Sequence, residues 1–316
     1  MKHILFPIIL LLQINSFAQQ GTITNLYDAF AKDSTLTKDF GFSCIVKFAG
    51  KTILFDAGSN ADVFKQNVKK LKIDLALIDA VVVSHAHFDH LNGIDYLLEI
   101  NPKVKIYFPY DIFWGAPVPF DATGQEPTVA DSLPQHMRYF DGAKTKFTIM
   151  QSGRFNHANI EFIKESKELF PGINLIATNS PFMGYFSCYP NKSFVEGQFQ
   201  DAASDCKNTN LPELSLSIKT AKGEVLIAGC SHTGIEHIVE QTQKVTGNSI
   251  ELVYGGFHMI PFDRAKTNEI CSYMKNTLGV KKVAPAHCTG HLAFKILQDL
   301  YKQNYLYAGL GETISF

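Results

Sequence analysis

The chain has 316 residues, of which 46% are hydrophobic and 19% are charged, and its formal net charge is −1. This composition is typical of a soluble globular protein, and the length suits one large α/β domain or two small ones. The balanced charge without a clustered basic stretch argues against a nucleic-acid partner, and six cysteines are too few for a disulfide scaffold.

The first residues differ in character from the rest of the chain. Lys2 provides a basic start, Ile4 to Leu12 is an apolar run, and Ser16-Phe17-Ala18 has the small residues of a cleavage site. The run is too short to span a bilayer, and the three parts together are typical of a secretory signal peptide. We therefore expect residues 1–18 to be cleaved off after Ala18. Residues 19–316 then form a periplasmic or secreted protein of one domain, without stable membrane insertion.

The N-terminal half of the mature chain alternates between strand and helix patterns. Phe42–Phe48 and Thr52–Phe55 predict a hairpin, because the turn residues Ala49-Gly50-Lys51 join them. The elements predicted next are a helix over Ala61–Leu71, a buried strand over Ala80–Val83, a helix over Ile94–Ile100 and a strand over Lys103–Phe108.

Two irregular, aromatic-rich stretches interrupt this pattern, near residues 110–140 and 180–211. Loops of this length inside a domain are usually functional or mobile. The aromatic residues around Trp114 and Phe182 are consistent with packing over the core and equally with a lid over the substrate.

Strands and helices alternate again in the C-terminal half. The predicted strands are Leu214–Thr220, Val225–Ala228, Glu251–Tyr254 and Lys282–Ala284, and the predicted helices are Ile235–Val245, Arg264–Leu278 and His291–Gln303. The alternation predicts an α/β fold with its active groups at the carboxyl ends of strands.

The segment after the buried strand carries the strongest signal for chemistry. It reads Ser84-His85-Ala86-His87-Phe88-Asp89-His90. In an extended chain residues two apart point the same way, so His85 and His87 can bind one metal ion. Asp89 and His90 lie where the chain turns, and they can reach a second ion about 3.5–4 Å from the first. These ligands predict zinc, with two ions in the site, while iron, manganese and magnesium are alternatives.

This segment resembles the H-x-H-x-D-H motif of the metallo-β-lactamase superfamily, and Ile53-Leu54-Phe55-Asp56-Ala57-Gly58 resembles its first motif. Within the superfamily, the chain is similar to the branch of dihydropterin-ribofuranosylaminobenzene phosphate synthases. Four motifs carry that similarity: Gly41-Phe42-Ser43, Gly229-Cys230-Ser231-His232, Gly255-Gly256-Phe257-His258 and His287-Cys288-Thr289-Gly290-His291. The resemblance covers nearly all of the mature chain, and it implies a four-layer αββα sandwich with the metals in the cleft between the sheets.

The resemblance also implies roles for single residues. His287 matches the last histidine of the superfamily, a ligand of the second metal, and Asp56 matches the residue that orients the metal loop. Cys230 falls where most members carry a bridging aspartate, and a thiolate binds zinc well. The histidine that usually completes the first site is missing, since Pro212-Glu213-Leu214 occupies its place. His232 is the nearest candidate to fill that gap.

The expected catalytic groups are Asp89, which ligates and orients a hydroxide, and His258, which donates a hydrogen bond to the developing oxyanion or leaving group. His291 opens a helix and is expected to support the ligands or to face the substrate. Structural alternatives stay open for Cys230 as a buried core thiol, and for His232 and His258 as hydrogen-bonding groups.

The remaining cysteines and histidines lie outside these motifs. Cys44 and Cys271 fit core positions, and Cys188 and Cys206 are candidates for a disulfide bond. The histidines expected at the surface are His136, His157 and His237.

These observations predict a metal-dependent hydrolase that applies a metal-activated hydroxide to a small molecule, with a phosphodiester or cyclic phosphate as the first choice of substrate. The signal peptide argues against the pterin product of the branch, because biosynthetic intermediates are not usually available outside the membrane. The alternatives are hydrolysis of a lactone, thioester or β-lactam, oxidation of a sulfur compound at a single iron, and metal or ligand binding without turnover.

Overall fold

Two mixed β-sheets face each other across the centre of the molecule. The structure, a computed structural model, describes residues 20–110, 118–121, 128–143, 146–149, 154–155, 157–180 and 211–316. The strands in chain order are β1 (Thr22–Tyr27), β2 (Ser43–Phe48), β3 (Lys51–Phe55), β4 (Ala80–Val82), β5 (Lys105–Pro109), β6 (Val118–Asp121), β7 (Lys146–Ile149), β8 (Asn159–Ile163), β9 (Lys167–Phe170), β10 (Ile173–Ser180), β11 (Leu211–Thr220), β12 (Gly223–Ala228), β13 (Ile250–Gly256), β14 (Lys282–Ala286) and β15 (Thr313–Ser315). The first sheet has the order β15-β1-β2-β3-β4-β5-β8 and the second β14-β13-β12-β11-β10-β9, while β6 and β7 pair in a separate ribbon.

The inner faces of the two sheets share an apolar core. Val46 and Phe55 of the first sheet and Leu216 and Ile227 of the second sheet are buried in it. Successive side chains of a strand point to opposite faces, so each strand contributes every second residue to this layer. Burial of an apolar side chain of this size contributes about 1.5–3 kcal/mol.

Helices cover the outer faces of both sheets. In chain order they are α1 (Ala61–Lys70), α2 (Ile94–Ile100), α3 (Val129–Ser132), α4 (Ile235–Thr246), α5 (Arg264–Asn276) and α6 (His291–Tyr301). The core between the first sheet and its helices includes Phe64 of α1 and Leu97 of α2. The core on the outer face of the second sheet includes Val239 of α4 and Leu297 of α6. The layers are therefore helix, sheet, sheet and helix, which confirms the predicted αββα sandwich.

Parallel strands lie in both sheets, and their carboxyl ends meet. β3 pairs with β4 in parallel, as β13 does with both β12 and β14. The turns after β4, β12 and β14 bring potential ligand atoms from both sheets within 4.8 Å of one another. Ligand sites of α/β folds form at the carboxyl ends of parallel strands. The topology therefore predicts that a ligand site lies at the carboxyl ends of these parallel strands.

The predicted strands and helices of the regular regions are present, with shifted ends. The helix Ile94–Ile100 has the predicted bounds, and β13 extends to Gly256, beyond the predicted end at Tyr254. The sequence reasoning missed β1, β7, β8, β9, β10 and β15, and β6 lies inside the stretch predicted to be irregular. β10 was missed because it ends in polar residues, Thr178 to Ser180, which read as loop although Ser180 is buried.

Some predicted features lie outside the described residues. They are the signal peptide over residues 1–18, the aromatic residues Trp114 and Phe182, and the cysteines Cys188 and Cys206. Within the described part of the chain, every helix is too short or too polar to cross a membrane.

Candidate metal centre

The segment Ser84–His90, which we call the metal loop, follows the carboxyl end of β4, an interior strand of the first sheet. Nε2 of His85 lies 3.1 Å from Nδ1 of His87, so these imidazoles face each other as their spacing predicts. Asp56, buried at the end of β3, fixes the loop. Its Oδ1 accepts the N–H of Ser84 at 2.7 Å, and its Oδ2 lies 2.7 Å from Nδ1 of His90. Because Nδ1 is engaged by the carboxylate, Nε2 of His90 points away from it.

The first cluster consists of His85, His87 and His232, whose ligand atoms lie within 4.8 Å of one another. His232 comes from the turn after β12, in the other sheet. Burial lowers the pKa of His85 and of His232 well below the usual value, and neighbouring imidazoles lower each pKa further. Both rings are therefore neutral near pH 7. Neither ring nitrogen of His232 has a hydrogen-bond partner among the described residues, as fits an imidazole that binds a metal ion.

The second cluster consists of Asp89, His90 and His287. Oδ2 of Asp89 lies 3.3 Å from Nε2 of His287 and 3.6 Å from Nε2 of His90. Burial alone would raise the pKa of Asp89, but the imidazoles of His90 and His287 lower it below the usual value. This cluster therefore offers an ionised carboxylate beside two imidazoles. Within the described part of the chain, Nε2 of His90 lacks a hydrogen-bond partner.

Two buried thiols lie beside these clusters. Sγ of Cys230 is 3.0 Å from Sγ of Cys288 and 3.1 Å from Nδ1 of His258, and we call these three residues the thiol cluster. Cys230 also lies within 4.8 Å of ligand atoms of His85 and His90. Burial and the sulfur of Cys288 both raise the pKa of Cys230. Cys230 thus lies where the resemblance places a bridging ligand, and it contacts a second thiol there.

Strained backbone marks the strand ends that form the centre. Asp56 has a φ of 57°, Ser231 of 65°, His258 of 47° and His287 of 48°. Side-chain-bearing residues seldom adopt this left-handed conformation, which costs about 1–3 kcal/mol and persists where the surroundings hold it, often at functional sites. The four residues follow β3, β12, β13 and β14. Four of the eight non-glycine residues with positive φ in the described part of the chain therefore lie at the end of the sandwich that carries the histidines.

Two buried carboxylates, which the sequence reasoning did not single out as site residues, hold the turns of the second sheet. Oε1 of Glu213 accepts the N–H of His232 at 2.8 Å, and Oε2 accepts the N–H of Thr233 at 2.6 Å. Asp28 accepts the N–H of His287 at 3.1 Å, and burial raises the pKa of Asp28 to about 7. Glu213 anchors the turn that brings His232 to the metal loop, from the place where relatives were expected to carry a histidine. A charged residue within an apolar strand was the available signal for Glu213.

The other predicted residues have the following positions. His291 begins α6 and is exposed, and none of the ligand clusters among the described residues includes it. His258, expected to face the substrate, has its Nδ1 against the thiol of Cys230. The surface and core predictions are confirmed for His157, His237, Cys44 and Cys271, and the backbone at His136 belongs to a 3-10 helix.

The donor atoms of the first and second clusters fit two divalent ions. Five imidazoles and one carboxylate form these clusters, contributed by His85, His87, His232, His90, His287 and Asp89. Such nitrogen and oxygen donors suit zinc and other borderline divalent metals. Buried ring nitrogens without partners are costly unless something binds them.

Comparison with known proteins gives the same class. The model of the metallo-β-lactamase superfamily matches residues 36–143. The 7,8-dihydropterin-6-methyl-4-(β-D-ribofuranosyl)-aminobenzene-5′-phosphate synthase of Methanocaldococcus jannaschii is 30% identical over 275 residues, which cover 84% of this chain and 85% of the relative. The chain therefore belongs to the metallo-β-lactamase superfamily, in the branch that includes this synthase.

Solved structures share the fold. A metal-dependent hydrolase of the β-lactamase superfamily superposes with a TM-score of 0.62 at 23% identity, over 93% of this chain and 98% of that one. Zinc-bound PqqB from Methylobacterium extorquens superposes with a TM-score of 0.50 at 12% identity, over 93% of this chain and 99% of that one. At these identities the likeness concerns the fold.

Proposed function

We propose that this chain is an exported metal-dependent hydrolase that cleaves a phosphodiester or cyclic phosphate bond in a small molecule. The observation that carries the proposal is that the first and second clusters lie next to each other, at the carboxyl ends of the parallel strands of both sheets. When bound there, two divalent ions supply Lewis acidity and ionise water near neutral pH.

The contacts of each residue define its task in this scheme. His85 and His232 offer neutral nitrogen donors, so they hold a cation without adding charge. Asp89 is ionised, and it both offsets part of the metal charge and accepts a hydrogen bond from an entering water. Asp56 keeps Nε2 of His90 aimed at the centre through its contact with Nδ1.

Exposed aromatic side chains beside the centre support an organic substrate. Phe40 is 48% exposed, and its ring centroid lies 4.9 Å from that of His287. Phe88, in the metal loop, is 60% exposed. Exposed rings next to polar groups are typical of sites that bind small organic molecules. The name of the Methanocaldococcus jannaschii relative includes a 5′-phosphate, which supports a substrate that carries phosphate.

Activity against a chromogenic phosphodiester tests the proposal. The purified chain, loaded with zinc or manganese, is expected to hydrolyse bis(p-nitrophenyl) phosphate, and His87→Ala is expected to lose bound metal and activity together. His237→Ala is the matched control, because His237 is exposed on α4 and belongs to none of the clusters. Full activity in a metal-depleted His87→Ala variant would contradict the scheme.

The same preparation separates the alternative functions. Hydrolysis confined to lactones or thioesters would reject the phosphodiester and retain the hydrolase. One bound iron with consumption of oxygen would reject hydrolysis in favour of sulfur oxidation. Metal binding without turnover on any ester panel would reject an enzyme.

Export is proposed from the basic, apolar and small-residue parts of residues 1–18. Fractionation of cells that express the full chain tests it, with a chain that begins at Gln19 as the control. We expect the full chain outside the inner membrane with Gln19 as its first residue, and the control inside. Retention of the uncleaved chain in the cytoplasm would contradict export.

A further inference from the structure

The thiol cluster is a set of potential ligands that the proposed hydrolysis does not use as a unit. Sγ of Cys230 lies 3.0 Å from Sγ of Cys288 and 3.1 Å from Nδ1 of His258. Both thiols are buried, with 4% and 2% of their surface exposed. The three residues follow different strands, β12, β13 and β14, so their meeting depends on the whole parallel part of the second sheet.

The backbone around Cys288 leaves room for its sulfur. A Cβ on Gly256 would lie 2.9 Å from Sγ of Cys288 and 2.4 Å from the carbonyl oxygen of Gly229, closer than side chains tolerate. Gly256 therefore clears the space in which the two thiols meet. His258, two residues later, has a φ of 47°, a conformation that histidine seldom adopts. The chain thus accepts a glycine and a strained histidine at the same place.

Two thiols and one imidazole are a donor set of defined chemistry. Cys2His with an open fourth position is one of the ligand sets that zinc uses in enzymes. The thiol cluster offers two thiolates, whereas the second cluster has a single carboxylate and the first has no anionic ligand. Among the three clusters, the thiol cluster is therefore the best match for a soft divalent ion.

We propose that Cys230, His258 and Cys288 form a third cation site, which binds a thiophilic divalent ion of the zinc class. Cys230 connects this site to the other two, because its sulfur also lies within 4.8 Å of ligand atoms of His85 and His90. The thiolate of Cys230 is shared between neighbouring ions, and the thiolate of Cys288 belongs to the third ion alone. This site does not depend on the reaction that the centre catalyses.

Titration of the reduced, metal-free full chain with Co²⁺ tests the proposal, because cobalt bound to thiolate absorbs in the near ultraviolet. We expect three equivalents bound by the wild type. Cys288→Ser should bind two equivalents and lack the part of the near-ultraviolet absorption that accompanies the third. The matched control is Cys271→Ser, which removes another buried thiol, in α5, that contacts Met259 rather than the centre. It should bind three equivalents with unchanged absorption.

A second variant and a measurement of the fold distinguish the loss of one metal ligand from misfolding of the variant. His258→Gln removes a different ligand of the same cluster without changing a thiol, and it should lose the same equivalent. Near-ultraviolet circular dichroism of each metal-free variant should match the wild type. Saturation of the wild type at two equivalents, or a Cys288→Ser variant that binds as many ions as the wild type, would overturn the third site. Neither result concerns hydrolysis, so failure here is distinct from failure of the proposed function.

Discussion

One half of the metal centre comes from the metal loop, Ser84–His90, whereas the other half comes from three turns that follow β12, β13 and β14. A single buried carboxylate, Asp56, organises the metal loop by contacts with Ser84 and His90. The second half needs the register of three parallel strands, strained backbone and two further carboxylates, Glu213 and Asp28. Local sequence therefore builds one half, and tertiary structure builds the other.

The division of the centre into two halves would be wrong if the second half contributed no ligand to the first cluster. His87→Ala and His232→Ala should each lower metal affinity at that cluster by more than about 100-fold, because removal of a ligand exceeds the 10–100-fold effect of its supporting residues. Chelator competition followed by elemental analysis measures the loss. His157→Ala, which changes an exposed histidine, should retain full metal content. Full metal binding by His232→Ala would remove the second sheet from the first cluster.

Substitution of Asp56, which holds the metal loop in place, should give the next largest effect. Asp56→Asn keeps the shape of the side chain but removes its charge, so Nδ1 of His90 loses a carboxylate partner. We expect a loss of about 10–100-fold in zinc affinity. Isothermal titration of the metal-free protein with zinc measures it. An unchanged affinity would show that the loop keeps its geometry without Asp56.

Glu213, which holds the turn that carries His232, is expected to affect both the stability of the fold and metal binding. Glu213→Gln places an amide group against the N–H groups of His232 and Thr233, and it should destabilise the fold by about 3 kcal/mol. Urea unfolding measures the stability. Glu224→Gln is the matched control, since Glu224 is equally buried in the second sheet but bonds Ser217 and Asn248 at the other end of β12. Both variants should unfold more easily, and only Glu213→Gln should also bind less metal.

The smallest expected effect concerns the close packing of the second sheet near Cys288. Gly256→Ala should cost about 1–3 kcal/mol, because the new methyl group meets the oxygen of Gly229 and the sulfur of Cys288. Thermal unfolding and cobalt absorption measure the two consequences. Gly247→Ala strains a positive φ at the end of α4 but meets nothing within 4 Å. The Gly247→Ala variant should lose stability and keep the cobalt spectrum. A Gly256→Ala variant with an unchanged cobalt spectrum would contradict the expected clash between the new methyl group and the sulfur of Cys288.

The two halves also differ in how far the sequence predicts them. The metal loop was readable because its ligands are contiguous and follow a buried strand, and the structure brings the four ligand residues together as that spacing predicts. The order of the regular strands likewise followed from apolar patterns. By contrast, β1 was missed because the buried polar residue Asn25 interrupts its pattern, and β10 was missed because it ends in polar residues such as the buried Ser180. A pattern method interprets these residues as loop.

The roles of single residues in the second half depend on distances that no local pattern contains. His232 was chosen as the replacement for a missing histidine, and the structure places it beside His85 and His87. Cys288 was quoted within a motif without a role, and only the meeting of β12 and β14 shows its sulfur beside Cys230. His258 was expected to face the substrate, and its position against Cys230 required the observed turn after β13. Side chains from separate strands have to be located in space before their chemistry can be inferred.

Anomalous diffraction at the zinc absorption edge, from crystals of the mature chain grown with zinc, tests the central claim most directly. We expect one strong peak among His85, His87 and His232, and a second among Asp89, His90 and His287, because the ligand atoms within each of these clusters lie within 4.8 Å of one another. A map without peaks between the sheets, or imidazoles turned away from one another, would contradict the assignment of a metal centre.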